Sequence, residues 1–113
     1  MESGYLDRRQ QQREAALLTA NQVRIAQAEL KRRIKDGRVD PLRALEGKDE
    51  MWSDFVTHLK LGVFLRFIPR FGRETVEEIL RDVGLYSNSR LRDQPAEVRA
   101  RVLFLVRMLL ERE

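Results

Sequence analysis

Between Ile68 and Arg73 the chain sets a proline, a glycine and two arginines between two apolar runs, "LGVFLRF" and "TVEEIL". The chemistry that suits such a stretch is anion binding. Free N–H groups at a helix start, backed by aligned peptide dipoles, attract phosphate, and a glycine just ahead lets the anion approach the backbone. Gly72 stands at that place, Arg70 and Arg73 flank it as cations, and Ile68 and Phe71 are apolar enough to pin the turn to a core. From this turn alone, an ordinary connection between two helices explains the same residues at least as well.

Other charged constellations point away from catalysis. "ELKRRIKDGR" gathers Lys31, Arg32, Lys35 and Arg38 around the end of a long helix, where cations also suit the helix C-terminus, so a contact role and a stabilising role are evenly matched. His58 is the only histidine and has no companion ligands. Glu74, Glu77 and Glu78 follow i, i+3, i+4 spacing without a nucleophile or paired base, which reads as a solvated helix face. The absence of cysteine excludes thiolate zinc sites, disulfides and thiol nucleophiles, and fits a reducing compartment. The expectation is a protein with no catalytic residue, no cofactor, no metal and no small-molecule substrate.

The elements that must position these residues read as helices throughout. From Asp7 to Asp36 there is neither glycine nor proline, and good helix formers dominate, so one long helix is predicted. Its apolar stripe, Ala16, Ala20, Val23, Leu30 and Ile34, sharpens toward the C-terminal half, while residues 7 to 14 offer nothing to bury and should project or fray. Gly37 stops it. Asp40 and Pro41 supply an N-cap and first position for a short helix ending at Glu46.

After Gly47, "DEMWSDFVTHL" reads as a third helix burying Met51, Trp52, Phe55 and Leu59. "LGVFLRF" gives a short apolar helix ending at Pro69, and Arg73 to Asp82 another, with Val76, Ile79, Leu80 and Val83 inward and Gly84 as its stop. "YSNSRLRDQ" is a polar loop. Asp93 is expected to cap a last helix with Pro95 in its first turn and Val98, Val102, Leu105 and Leu109 along the core. Nothing reads as a strand, so the class is all-α, with a long N-terminal helix over residues 1–36 and a compact helical domain over 37–113.

A length of 113 residues suits one core without metal or disulfide support. The polar start "MESGYLDRRQQQRE" lacks a signal-peptide core and no run reaches membrane-span length, so a soluble, intracellular protein is expected. Net charge is +4, but it is unevenly spread. Residues 1–36 carry 8 bases and 5 acids, 37–58 carry 3 and 5, 59–92 carry 7 and 4, and 93–113 carry 4 of each. Two positive blocks flank an acidic one, a pattern that favours a polyanionic partner modestly over a plain charged surface.

"HLKLGVFLRFIPRFGRETVEEILRDVGLYSNSRLRDQ", with "QVRIAQAELKRRIKDGRVDPLRALE" upstream, resembles the actinobacterial integration host factor family of mycobacteria and streptomycetes. That family shows a Lys-Val pair, a Leu-rich helix, Leu-Pro-Gly-Val-Gly, a basic helix closing on Leu-Gly-Ile and a Ser-Arg-Arg-Val-Arg-Gly loop. The resemblance spans about residues 15–107. It implies an S13-like helix-two-turns-helix fold with the helix-hairpin-helix at 61–82 and no β-ribbon. It also implies largely sequence-independent binding and bending of double-stranded DNA in the cytoplasmic nucleoid, by a monomer able to bridge two duplexes and to assist site-specific recombination.

Carried over position by position, Lys60 matches the lysine before the Leu-rich helix, Gly72 the second hairpin glycine, Arg73 the following lysine, and Arg90 and Arg92 two loop arginines. Arg70 replaces the first hairpin glycine and adds charge, and Lys31, Arg32 and Lys35 offer a second contact face on the long helix. The departures are Glu74 in the first helical turn, where it must turn away or pair with Arg70 or Arg81, Ser89 in place of an arginine, and Asp93 and Pro95 in place of loop glycines. A base-excision glycosylase would need a catalytic Asp and Lys in a pocket that this length hardly encloses. A structured-RNA or ribosomal-type binder and a helical protein–protein adaptor stand as alternatives.

Overall fold

The computed structural model describes the backbone of residues 2–112 and the side chains of residues 19–112. Among the described residues six α-helices follow one another: α1 (Glu2–Lys35), α2 (Pro41–Leu45), α3 (Ser53–His58), α4 (Leu61–Arg66), α5 (Arg73–Val83) and α6 (Ala96–Glu111), with a 3-10 turn at Leu91–Asp93. No strand occurs among the described residues; Lys60 and Arg90 form one isolated antiparallel bridge. The chain divides into two units, Met1–Leu30 and Lys31–Glu113.

In the first unit, Leu30 is fully buried, but Ala20 and Val23 are exposed, so the expected stripe is apolar in sequence without being covered. Ala16 and the side chains of residues 7–14 lie outside the described residues.

In the second unit, α5 packs against α4 and α6, and α2 packs against α3 and α6. The core runs through Ile34, Val56, Phe64, Leu65, Ile68, Val76, Ile79, Val102 and Val106. Val106 is buried where the sequence pointed to Leu105 and Leu109, which are half-buried, as is Val83. The expected caps hold at both ends of the first connection. Gly37, at φ 77°, lets Arg38 N–H and Val39 N–H return to the Arg33 carbonyl at 2.8 and 3.2 Å, and Asp40 Oδ1 accepts from Leu42 N–H at 2.9 Å.

Two local expectations are corrected. Met51 is 70% exposed, because Asp49 accepts from the N–H groups of Met51 and Trp52 at 3.0 and 2.9 Å and receives Ser53 N–H on its carbonyl. These bonds fold 49–52 into a turn that delays α3 to Ser53, and Met51 faces solvent. Asp93 does not cap α6. It closes the 3-10 turn, and Pro95 stands at the N-cap without a side-chain hydrogen bond. Two ion pairs hold α6 in place: Arg101–Asp82 at 3.2 Å joins it to α5, and Arg107–Glu46 at 2.6 Å joins it to the end of α2.

Candidate functional site

The loop after α5 folds back on the start of α4. Leu61 N–H donates to the Ser89 carbonyl at 2.7 Å and Gly62 N–H to the Ser87 carbonyl at 3.0 Å, which satisfies two donors that a helix start leaves unpaired. The approach is close enough that a Cβ at Gly62 would stand 2.8 Å from Ser87 Cβ, 2.9 Å from its carbonyl oxygen and 3.0 Å from its Cα. Gly62 is therefore the position where glycine is required by packing, and sequence reasoning, drawn to Gly72, missed it.

Gly72 is the N-cap of α5, but its backbone is extended (φ −80°, ψ 178°) and a Cβ there would meet nothing within 4 Å. A methyl side chain at this position would therefore meet neither a forbidden φ nor a neighbouring atom. What remains at Gly72 is access: α5 starts without a side-chain cap, so its first N–H groups are open to a ligand. Glu74 lies in that first turn and pairs with neither Arg70 nor Arg81 among the described residues.

Beside this helix start runs an open groove of about 540 Å³ lined by Lys60, Arg66, Arg73, Glu77, Ser87 and Asn88, with α4 and α5 as its walls. Three cations and one acid share it. Arg73 Nε lies 3.1 Å from Glu77 Oε1, one turn along α5. Both side chains are largely exposed, and such a pair is worth only a few tenths of a kcal/mol, so Arg73 can exchange Glu77 for another anion at little cost. Arg66 was missed in the sequence, although it is the one charge interrupting the apolar run of α4 and so marks that helix's outer face.

The remaining expected contacts are distributed. Arg90 bridges to Lys60 through the backbone and donates Nε–H to the His58 carbonyl at 2.9 Å, capping α3. Arg92 is exposed, with Nε 3.7 Å from Asp93 Oδ1. Arg70 does not line the groove; its Nη1 donates to the Leu110 carbonyl at 3.2 Å, at the end of α6. Lys31, Arg32 and Lys35 are exposed on the last turns of α1. His58 places Nδ1 2.8 Å from the Asp54 carbonyl, and among the described residues no cluster of three or more His, Asp or Glu side chains could hold a metal. No helix among the described residues is long and apolar enough to cross a membrane.

The chain is 33% identical over 82 residues to the protein named Integration host factor in Mycobacterium tuberculosis (strain ATCC 25618 / H37Rv), covering 73% of this chain and 76% of that one. No family model matches the chain, and no solved structure matches it significantly.

Proposed function

The chain belongs to the integration host factor family, and from that premise we propose that it is a double-stranded DNA-binding architectural protein without enzymatic activity. The single observation that carries the proposal is the shared groove of Lys60, Arg66 and Arg73 beside an uncapped helix start. Cations beside free backbone donors are what a phosphate ester requires. Arg90 and Arg92 extend the positive surface along the loop, and Gly72 keeps the approach to α5 open.

In this reading residues 37–113 form an S13-like helix-two-turns-helix domain with its hairpin at 61–82. Residues 1–36 form a long helix whose Lys31, Arg32 and Lys35 offer a second phosphate face, so that one monomer can bridge duplexes and condense DNA in the nucleoid. Arg70 acts at the end of α6 in the free protein and joins the contact only by leaving Leu110. Capture is electrostatic and bending follows it. Assistance to site-specific recombination is the consequence of holding DNA bent.

A gel-shift series on duplex DNA, single-stranded DNA and a structured RNA across salt concentrations tests the proposal. Duplex binding that weakens steeply with salt is expected. Tight binding of the RNA without detectable duplex binding would overturn it in favour of a ribosomal-type role.

A further inference from the structure

Tyr86 is 77% exposed, more than any other large apolar side chain among the described residues, yet its backbone is held on both sides. Its N–H donates to Ser89 Oγ at 3.1 Å, and its carbonyl accepts from Ser89 N–H at 3.0 Å. Leu85 N–H before it is tied to the Leu80 carbonyl at 2.8 Å, and the Ser87 carbonyl after it is tied to Gly62 N–H at 3.0 Å. The ring is thus carried into solvent on a turn that is fixed to α4 and α5.

Its place relative to the cations gives that exposure a use. The shallow depression that Tyr86 lines with Arg81 shares Glu77, Leu80 and Ser87 with the groove of Lys60, Arg66 and Arg73, so the ring stands on the rim of the cationic surface. A phosphate seated in the groove would bring the adjacent sugar and base edges of the same duplex against the ring. An aromatic face with a polar tip suits that boundary, and apolar wedges placed between base steps partly unstack them and kink the duplex.

We infer that Tyr86 is the wedge by which this chain bends duplex DNA, its ring entering at a base step while Lys60, Arg66 and Arg73 hold the neighbouring phosphates. The inference rests on the proposed function and adds to it a division of labour: the groove supplies affinity and its salt dependence, and the ring supplies deformation. The fixed turn lowers the ordering cost of insertion, because the backbone carrying the ring is already immobilised.

The test measures bending and affinity separately on the full chain, using a duplex labelled at both ends for energy transfer and a parallel gel shift. The wild type should bring the ends together on binding. Tyr86→Ala should keep the wild-type melting temperature and salt slope and lose about tenfold or less in affinity, since stacking gained is largely offset by unstacking lost; the bound duplex should stay near its free end-to-end distance. Tyr86→Phe should bend as the wild type does. Tyr86→Ala that bends DNA fully, or that stays folded but no longer binds, would overturn the inference. A wild type that binds without bending would overturn it while leaving DNA binding intact, and a wild type that binds no duplex would bring down both readings at once.

Discussion

Two glycines separate packing from access at the scale of single residues. Gly62→Ala puts a methyl group 2.8 Å from Ser87 Cβ and 2.9 and 3.0 Å from its backbone oxygen and Cα. The better helix propensity of alanine returns up to about 1 kcal/mol, while overpacking against a fixed backbone costs about 1–3 kcal/mol. A net loss of stability in urea is expected, with the 87–90 loop displaced. Gly72→Ala meets no atom and no forbidden φ, so its stability should stay within about 0.5 kcal/mol of wild type. A Gly72→Ala protein that melts as early as Gly62→Ala would show that the start of α5 is more tightly packed than its geometry indicates. The loop arginines divide similarly. Arg90→Ala removes a donor from the His58 carbonyl and should cost about 0.5–1.5 kcal/mol, whereas Arg92→Ala should be neutral to folding within about 0.5 kcal/mol. Equal denaturation midpoints for the two variants would contradict this assignment. The types of Arg90, Arg92 and Gly72 were legible in the sequence, but which arginine is committed to the fold was not. That depends on a carbonyl 32 positions away, just as the part played by Arg70 depends on a carbonyl 40 positions away.

The helices themselves were readable because their punctuation is local. Gly37, Asp40 with Pro41, and Gly84 stop or start helices through bonds that span only a few residues. The misread segments have competing local bonds or depend on tertiary register. Asp49 draws Met51 and Trp52 into a turn, Pro95 displaces Asp93 from the cap, and α6 is rotated so that Val106 rather than Leu105 or Leu109 is fully covered. The junction of α2 with α6 carries a pH dependence. Lys48 at 2.8 Å, and then Arg107 at 2.6 Å, hold the Glu46 carboxyl below its ordinary value of 4.5. A carboxyl with a lowered native pKa stabilises the fold above its unfolded pKa, and that contribution is lost as pH falls from about 4.5 through the native value. Thermal melts of Glu46→Gln should therefore lie below wild type at neutral pH and converge with it in acid. A constant difference from pH 7 down to pH 3 would assign the effect of Glu46 to packing rather than to charge.

Charge distribution is a property of the whole molecule. The blocks at 1–36 and 59–92 are each positive by three; the second brings Lys60, Arg66 and Arg73 to one groove, and it also holds Glu74, Glu77 and Glu78. The two blocks should therefore contribute different things to DNA binding. The groove block should set the affinity for a single duplex, because its cations act on the same phosphates. Cations on α1, in the reading proposed here, add contacts that matter most when a second duplex is present. Affinity for unrelated duplexes should fall steeply and in parallel with salt, each phosphate contact contributing about one unit to the logarithmic slope. Lys60→Ala and Arg66→Ala should each reduce the slope by about one for every sequence tested. Lys31→Ala combined with Lys35→Ala should spare binding to one short duplex and weaken co-precipitation of two differently labelled duplexes. A preference above roughly a hundredfold for one duplex at physiological salt would mean that base edges are read as well, since specific complexes commonly exceed non-specific ones by about 10³ or more. If the α1 substitutions instead lowered single-duplex affinity as much as the groove substitutions do, the two blocks would have to contact the same DNA segment, and bridging would need another surface.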